Sequence, residues 1–208
     1  MKRIEEKRIV PVLTLETTTE ALAVAQALVA GGLPVMEVTF RTAAAADCVR
    51  AIREAFPEVA LGAGTLLTTE QVRQAKAAGA QFGVAPGINP TVVRAAADLG
   101  LPFYPGVLTP SEVELGLSLG CRWLKFFPAD VAGGVKMLQA LAGPYGPAGV
   151  KFIPLGGIHA GNAAEYLALP NVVAVGGSWI ADRKRIAAQD WAGITANARA
   201  ALTLVRAP

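Results

Sequence analysis

Short apolar runs alternate along the chain with longer amphipathic segments rich in alanine, a pattern that predicts strands each followed by a helix. The runs are RIVPVLTL (8–15), PVMEVTF (34–40), VALGAG (59–64), QFGVAP (81–86), LPFYPG (101–106), RWLKFFP (122–128), VKFIPLGG (150–157) and VVAVGG (172–177). Apolar residues on both faces of such runs mark a parallel sheet covered by helices. Between them, TTTEALAVAQALVAGG, LTTEQVRQAKAAGA, NPTVVRAAADLG and TPSEVELGLSLG carry threonine or asparagine near their starts, and several end on glycine, as helix boundaries do. Eight β–α units within 208 residues predict an α/β fold of the closed (β/α)8 kind, a TIM barrel, as a single domain over residues 1–208. An open doubly wound sheet usually has fewer strands. The charged opening MKRIEEK predicts a short helical lead-in.

In such barrels chemistry gathers at the carboxyl ends of the strands. Side chains alternate along a strand, so in PVMEVTFRT the apolar set Met36, Val38 and Phe40 faces the helices, leaving Val35, Glu37, Thr39 and Arg41 inward. In RWLKFFPAD, Trp123, Lys125 and Phe127 share one face, with Lys125 close to the strand end. Glu37 is the only carboxylate within the predicted strands, and the other strand lysine, Lys151, falls deeper or near the bottom. An isolated ammonium in an apolar interior either finds a counter-ion or loses its proton. Glu37 offers the first outcome, and apolar surroundings favour the second. Two readings stay open: an inert buried ion pair, which is a poor source of stability, or a nucleophilic amine beside a proton-moving carboxyl, the arrangement wanted for carbonyl chemistry.

A second feature is independent of the first. The pairs Gly156–Gly157 and Gly176–Gly177, the latter followed by Ser178, come directly after the seventh and eighth strands, each leading into a predicted helix. Exposed backbone amides at a helix start suit a phosphate, and these two loops are its usual position in barrels. The competing reading is that the glycines only turn the chain. Thr65 after GAG, Pro86 and Gly87 in VAPGIN, and Pro105 and Gly106 in YPGV shape the mouth, where Thr65 can donate to an anion. Asp130 and Glu16 read as helix caps, His159 as a helix-start or surface residue, and Trp179 and Trp191 as packing residues.

Composition narrows the choice. The 19 basic and 16 acidic residues are scattered, with RKR at 183–185 the longest basic run, so no nucleic-acid partner is expected. The longest charge-free stretch, between Lys76 and Arg94, is broken by glycines and prolines, so no membrane partner is expected either. The opening residues are too charged for the apolar segment of a secretory signal. Cys48 and Cys121 lack metal-ligand spacing and read as reduced thiols of a cytoplasmic protein, while one histidine cannot build a multi-histidine metal site.

Taken together, EVTFRT, GAGTLL, VAPGINP, YPGVLTPSE, LKFFPAD, GGVKMLQALAGPYG, PLGGI, NAAEYLALPNV and VGGSW resemble, in order and spacing, the 2-keto-3-deoxy-6-phosphogluconate (KDPG) aldolases over nearly the whole chain. The resemblance implies a class I lyase without metal or cofactor. It further implies a (β/α)8 barrel, usually homotrimeric, that cleaves KDPG to pyruvate and glyceraldehyde 3-phosphate in the Entner–Doudoroff route. By the same resemblance Lys125 forms the Schiff base and Glu37 is the general acid and base. Arg41, assisted by Thr65, holds the pyruvate carboxylate. Phe127 and Pro86 wall the pyruvate pocket, and Gly156, Gly157, Gly177 and Ser178 bind the substrate phosphate. One position departs: many members have threonine where this chain has Leu155, and a related aldolase for the galactonate epimer is apolar there, which points to relaxed specificity at C4. Action on 4-hydroxy-2-oxoglutarate belongs to the same alternative. A phosphosugar isomerase on the same barrel, working without an imine, and a non-catalytic phosphometabolite-binding protein are the rival readings.

Overall fold

The computed structural model describes residues 2–205. In chain order these form α1 (Lys2–Lys7), β1 (Ile9–Leu13), α2 (Thr18–Ala30), β2 (Val35–Thr39), α3 (Ala45–Ala55), β3 (Ala60–Gly64), α4 (Thr69–Ala77), β4 (Phe82–Val84), α5 (Pro90–Asp98), β5 (Phe103–Tyr104), β6 (Gly106–Val107), α6 (Pro110–Ser118), β7 (Trp123–Phe126), α7 (Gly134–Tyr145), β8 (Lys151–Pro154), α8 (Ala163–Leu167), β9 (Val175–Gly177), α9 (Arg183–Ala187) and α10 (Trp191–Val205). The predicted strand–helix alternation is present throughout, with shorter strands than the apolar runs suggested. Helix starts follow the expected chemistry. Thr68 and Thr109 each form a reciprocal capping box, with Gln71 and Glu112 respectively, and Asn89 caps a helix whose first residue is Pro90.

Every strand pairing is parallel, and the strands fall into a curled six-stranded sheet, ordered β5-β4-β3-β2-β1-β9, and a three-stranded sheet, β6-β7-β8. The fifth predicted strand is split. Pro105 has no N–H to give to a ladder and separates β5 from β6, but its carbonyl still accepts from Lys125 N at 2.9 Å. The eighth is shorter than its run: Val172 makes an isolated parallel bridge to Phe152, and regular strand begins only at Val175.

One apolar core underlies the helices, with Ile9, Leu13, Met36, Val38 and Leu61 wholly buried. Inside the curl lies a second apolar layer: Ile4, Val10, Phe82, Val84, Tyr104, Ile153 and Leu155 line a small void together with Glu37 and Lys125. The lead-in helix α1 therefore does more than precede the first strand. Its Ile4, 1% exposed, reaches this void and belongs to the same core. Removing the side chain there leaves a cavity that the strands cannot collapse to fill, and we expect Ile4→Ala to cost about 2–5 kcal/mol. Denaturant unfolding of the two proteins checks it; a loss under about 0.5 kcal/mol, the range of ordinary surface changes, would show α1 to be peripheral.

Candidate active site

The alternation argument placed Glu37 on the inner face, and it is there, 2% exposed; Lys125, whose face alternation left open, is buried with it, 4% exposed. β2 carries Glu37 and β7 carries Lys125, and the two residues meet the same void from different sheets. They are not clamped together: among the described residues, no ion pair within 4.0 Å joins them. Glu37 Oε1 is buried without a hydrogen-bonding partner in the protein. Burial is the largest influence on Lys125 and lowers its pKa below the usual lysine value; Glu37 pulls the other way, and Arg41 adds a further lowering. The balance left open by the sequence thus falls on the side of a readily deprotonated amine.

The carboxylate owes its position to a missing methyl group. Gly64 on β3 stands beside Thr39 of β2, and a Cβ built on it would overlap Glu37 Oε1 and lie 2.5 Å from Cδ. Glycine allows this close crossing, and no other residue does. Directly after it, Thr65 holds φ at +59°, a strained conformation for a β-branched residue. Its hydroxyl accepts from Arg41 Nε at 3.2 Å, so the two side chains are joined at the rim, where Arg41 is exposed.

The aromatic wall is also assembled. Lys125 Nζ lies 5.0 Å from the centre of the Phe127 ring, and the edge of that ring approaches Gly156, where a Cβ would stand 3.1 Å from Phe127 Cε2. Phe127 therefore touches both the lysine and the first glycine pair. Pro86 packs against the backbone of Gly106, which pairs in register with Lys125.

Gly156 and Gly157 follow β8 as expected, at φ +90° and +80°, but Gly176 and Gly177 lie within β9, paired with Val10 and Pro11, rather than after it. Neither pair leads directly into a helix: α8 begins only at Ala163 and α9 only at Arg183, each five residues long. Gly157, Gly177 and Ser178 can offer backbone N–H groups and a hydroxyl, without a helix dipole behind them. Asp130 and Glu16 are not helix caps. Asp130 packs over Gly157 and its N–H donates to Gly156 O at 3.0 Å, while Glu16 accepts from Arg183 Nη2 at 2.8 Å across the mouth. His159 is exposed and occupied locally, its Nδ1 accepting from Gly161 N. Trp179 and Trp191 pack on the core. Lys151 donates to Pro170 O, away from the pair. Cys48 and Cys121 are free thiols, and burial raises the pKa of Cys48 to about 11.

Two contributors escaped sequence reasoning. Gly64 read only as the last residue of the third apolar run, because a steric requirement of one side chain on a neighbouring strand has no local sequence signal. Tyr104, buried beside Trp123 and Phe82 with its hydroxyl unpaired, floors the void; alternation along FYP could have found it.

Comparison with known proteins places this geometry in a recognised group. The family model described as "Aldolase: KDPG and KHG aldolase" matches residues 1–197. The 2-dehydro-3-deoxy-phosphogluconate aldolase of Treponema pallidum is 48% identical over 202 residues, covering 97% of this chain and 95% of its own. The KHG/KDPG aldolase of Escherichia coli K12 is 44% identical over 194 residues, 93% of this chain and 90% of its own. A crystal structure of the Legionella pneumophila KDPG aldolase, with pyruvate captured as a covalent carbinolamine, superposes with a TM-score of 0.91 at 40% identity, covering 95% of each chain.

The lowered lysine pKa has a measurable consequence. Between that lowered value and the ordinary one of about 10.4, the unfolded chain holds a proton that the folded one has lost, so folding stability rises with pH across that window. Below the window the folded state carries the full penalty of a buried ammonium. We expect stability curves of the native protein and Lys125→Met to diverge with a slope of up to about 1.4 kcal/mol per pH unit in that range. Parallel curves would mean that Lys125 titrates normally.

Proposed function

The chain belongs to the KDPG and KHG aldolase family, and from that membership we propose that it is a class I aldehyde-lyase cleaving KDPG to pyruvate and glyceraldehyde 3-phosphate. The observation that carries the assignment of residues is the buried Lys125, its pKa lowered by burial, lining one small void with Glu37, one of whose oxygens is unpaired. Neutral Lys125 adds to C2 of the keto acid to give a carbinolamine. Glu37 gives a proton to the departing hydroxyl, water leaves, and an iminium cation remains. The Glu37 carboxylate then takes the proton of the C4 hydroxyl, the C3–C4 bond breaks, and its electron pair moves into the iminium to give an enamine. Protonation at C3 and hydrolysis release pyruvate and free the amine.

Arg41 and Thr65 hold the carboxylate end, Phe127 and Pro86 wall the three-carbon unit, and Gly156, Gly157, Gly177 and Ser178 take the phosphate. The proximity of Phe127 to both Lys125 and Gly156 supports this division, since it brings the amine and the first glycine pair within reach of a single ring. We read the two sheets as one closed eight-stranded barrel, supported by the Pro105–Lys125 hydrogen bond on one side and the Phe152–Val172 bridge on the other. Membership also underlies our proposals of a homotrimer, a cytoplasmic location and a place in the Entner–Doudoroff route.

Trapping tests the core of the reading. Borohydride reduction in the presence of pyruvate should leave a pyruvate-derived adduct on Lys125 by peptide mass spectrometry, absent from Lys125→Ala. Glu37→Gln should lower turnover by about 10²–10⁴ while pyruvate still binds. A folded protein that gives no adduct, or a Lys125→Ala variant with near-native activity, would remove the mechanism.

Stereochemistry tests the finer point. Leu155, 5% exposed and lining the same void, offers no hydroxyl to a C4 substituent. We expect the gluconate and galactonate epimers to have similar kcat/KM values; a preference of about a hundredfold or more for either would overturn relaxed specificity.

A further inference from the structure

The top of the first strand holds a hydroxyl that the reaction above leaves unused. Thr14 follows β1, and the alternation of that strand fixes its direction: Ile9, Leu13 and Leu15 are wholly buried beneath the helices, while Val10 lines the void with Glu37 and Lys125. Val12 and Thr14 continue the Val10 side toward the mouth, each half-buried. The position is central. On one side β2 pairs Glu37 with Val12, and on the other β9 pairs Gly177 with Pro11, so Thr14 stands between the proposed general base and the proposed phosphate cradle.

Its hydrogen bonding is constrained by proton counting. Thr39, fully buried, donates its single hydroxyl proton to Leu13 O at 3.0 Å. Thr14 Oγ1 lies 3.0 Å from Thr39 Oγ1. Since the Thr39 proton is already given, Thr14 supplies the proton of that second bond. The Thr14 oxygen is then left with lone pairs only, facing the mouth. It is an acceptor that cannot turn into a donor without breaking a buried bond. Leu155, whose side chain lies against Gly176 of β9, has no polar atom to compete for the same group.

We propose that Thr14 is a specificity-determining residue that accepts a hydrogen bond from the substrate hydroxyl lying between the reacting carbons and the phosphate, the C5 hydroxyl of the keto acid, which becomes C2 of the aldehyde product. The inference rests on the aldolase reading of the site. It also separates ligands by chemistry: a hydroxyl can donate to Thr14, while a ketone or methylene at that carbon cannot.

The test runs the reaction in the condensing direction with pyruvate and two phosphorylated aldehydes, glyceraldehyde 3-phosphate and its 2-deoxy analogue. In Thr14→Val the ratio of kcat/KM for the hydroxylated over the deoxy aldehyde should fall about three- to tenfold, the worth of one neutral hydrogen bond. Thr14→Ser should restore it. A role confined to tying β1 to β2 would scale both aldehydes alike, so an unchanged ratio, or a ratio that serine does not restore, overturns the proposal. Borohydride trapping of the pyruvate adduct on the native protein separates the two levels. With an adduct and no change of ratio the Thr14 inference alone fails, and without an adduct the aldolase reading fails and takes it along.

Discussion

An ammonium at Lys125 has almost no water around it, and the protein supplies little in return: Glu37 faces it across a void without closing an ion pair. Had the two side chains met at hydrogen-bonding distance, their attraction would have fixed the proton on the lysine and offset part of the desolvation. Held apart, the charge is penalised and the neutral amine favoured. The rim guanidinium of Arg41 works in the same direction, and it does so while occupied with Thr65. Burial thus does the chemical preparation, and the arrangement of the surrounding strands can be understood as what keeps that burial compatible with an open line between amine and carboxyl.

Keeping the line open is a steric problem solved in the backbone. Glu37 can lie flat across the neighbouring strand because Gly64 has no Cβ, and the chain then turns through a strained Thr65 that hands its hydroxyl to Arg41. Lys125 is held at the level of Gly106, another residue whose bareness lets Pro86 approach. On the other side of the lysine, the Phe127 ring reaches from the amine to Gly156. Glycines on two strands and in the loop after β8 therefore set the distances between large or charged residues, so the geometry of the site depends on register between strands as well as on that loop.

The alternation of apolar runs and amphipathic segments made the architecture legible, and the two-residue period of strands identified Glu37 as an inward residue, while for Lys125 it gave only the residues that share its face. Motif spacing carried the remaining site assignments. What was not legible depended on relations between strands. The break of the fifth strand at Pro105 follows from a lost N–H, yet the same residue still pairs through its carbonyl, and sequence does not reveal which half of that behaviour prevails. The glycine pairs were read as helix starts because apolar periodicity resumes after them, whereas the chain uses several further residues before the helices begin. Glu16 was read as a cap from its position before TTTE, but Thr17 takes that role, accepting from Glu20 N, and frees Glu16 to pair with Arg183, 167 residues away.

These departures share a location. Thr65 with its positive φ, the unpaired Glu37 oxygen, the split strand at Pro105 and the glycines with left-handed backbone at 156 and 157 all sit along the inner face or at the carboxyl ends of the strands. The outer layer is more regular, with capped helices over wholly buried aliphatic side chains, though Arg8 and Gln189 also hold positive φ and Asn171 Oδ1 is buried without a partner. Strained or orphaned groups persist only where surrounding structure over-determines them, at about 1–3 kcal/mol each. Parallel strands fixed on both sides by ladder pairing, and covered by a continuous apolar layer, provide that over-determination. The regular outer layer and the irregular inner one are therefore energetically linked: the first supplies the stability against which the second holds a buried amine of lowered pKa near a Glu37 oxygen without a partner.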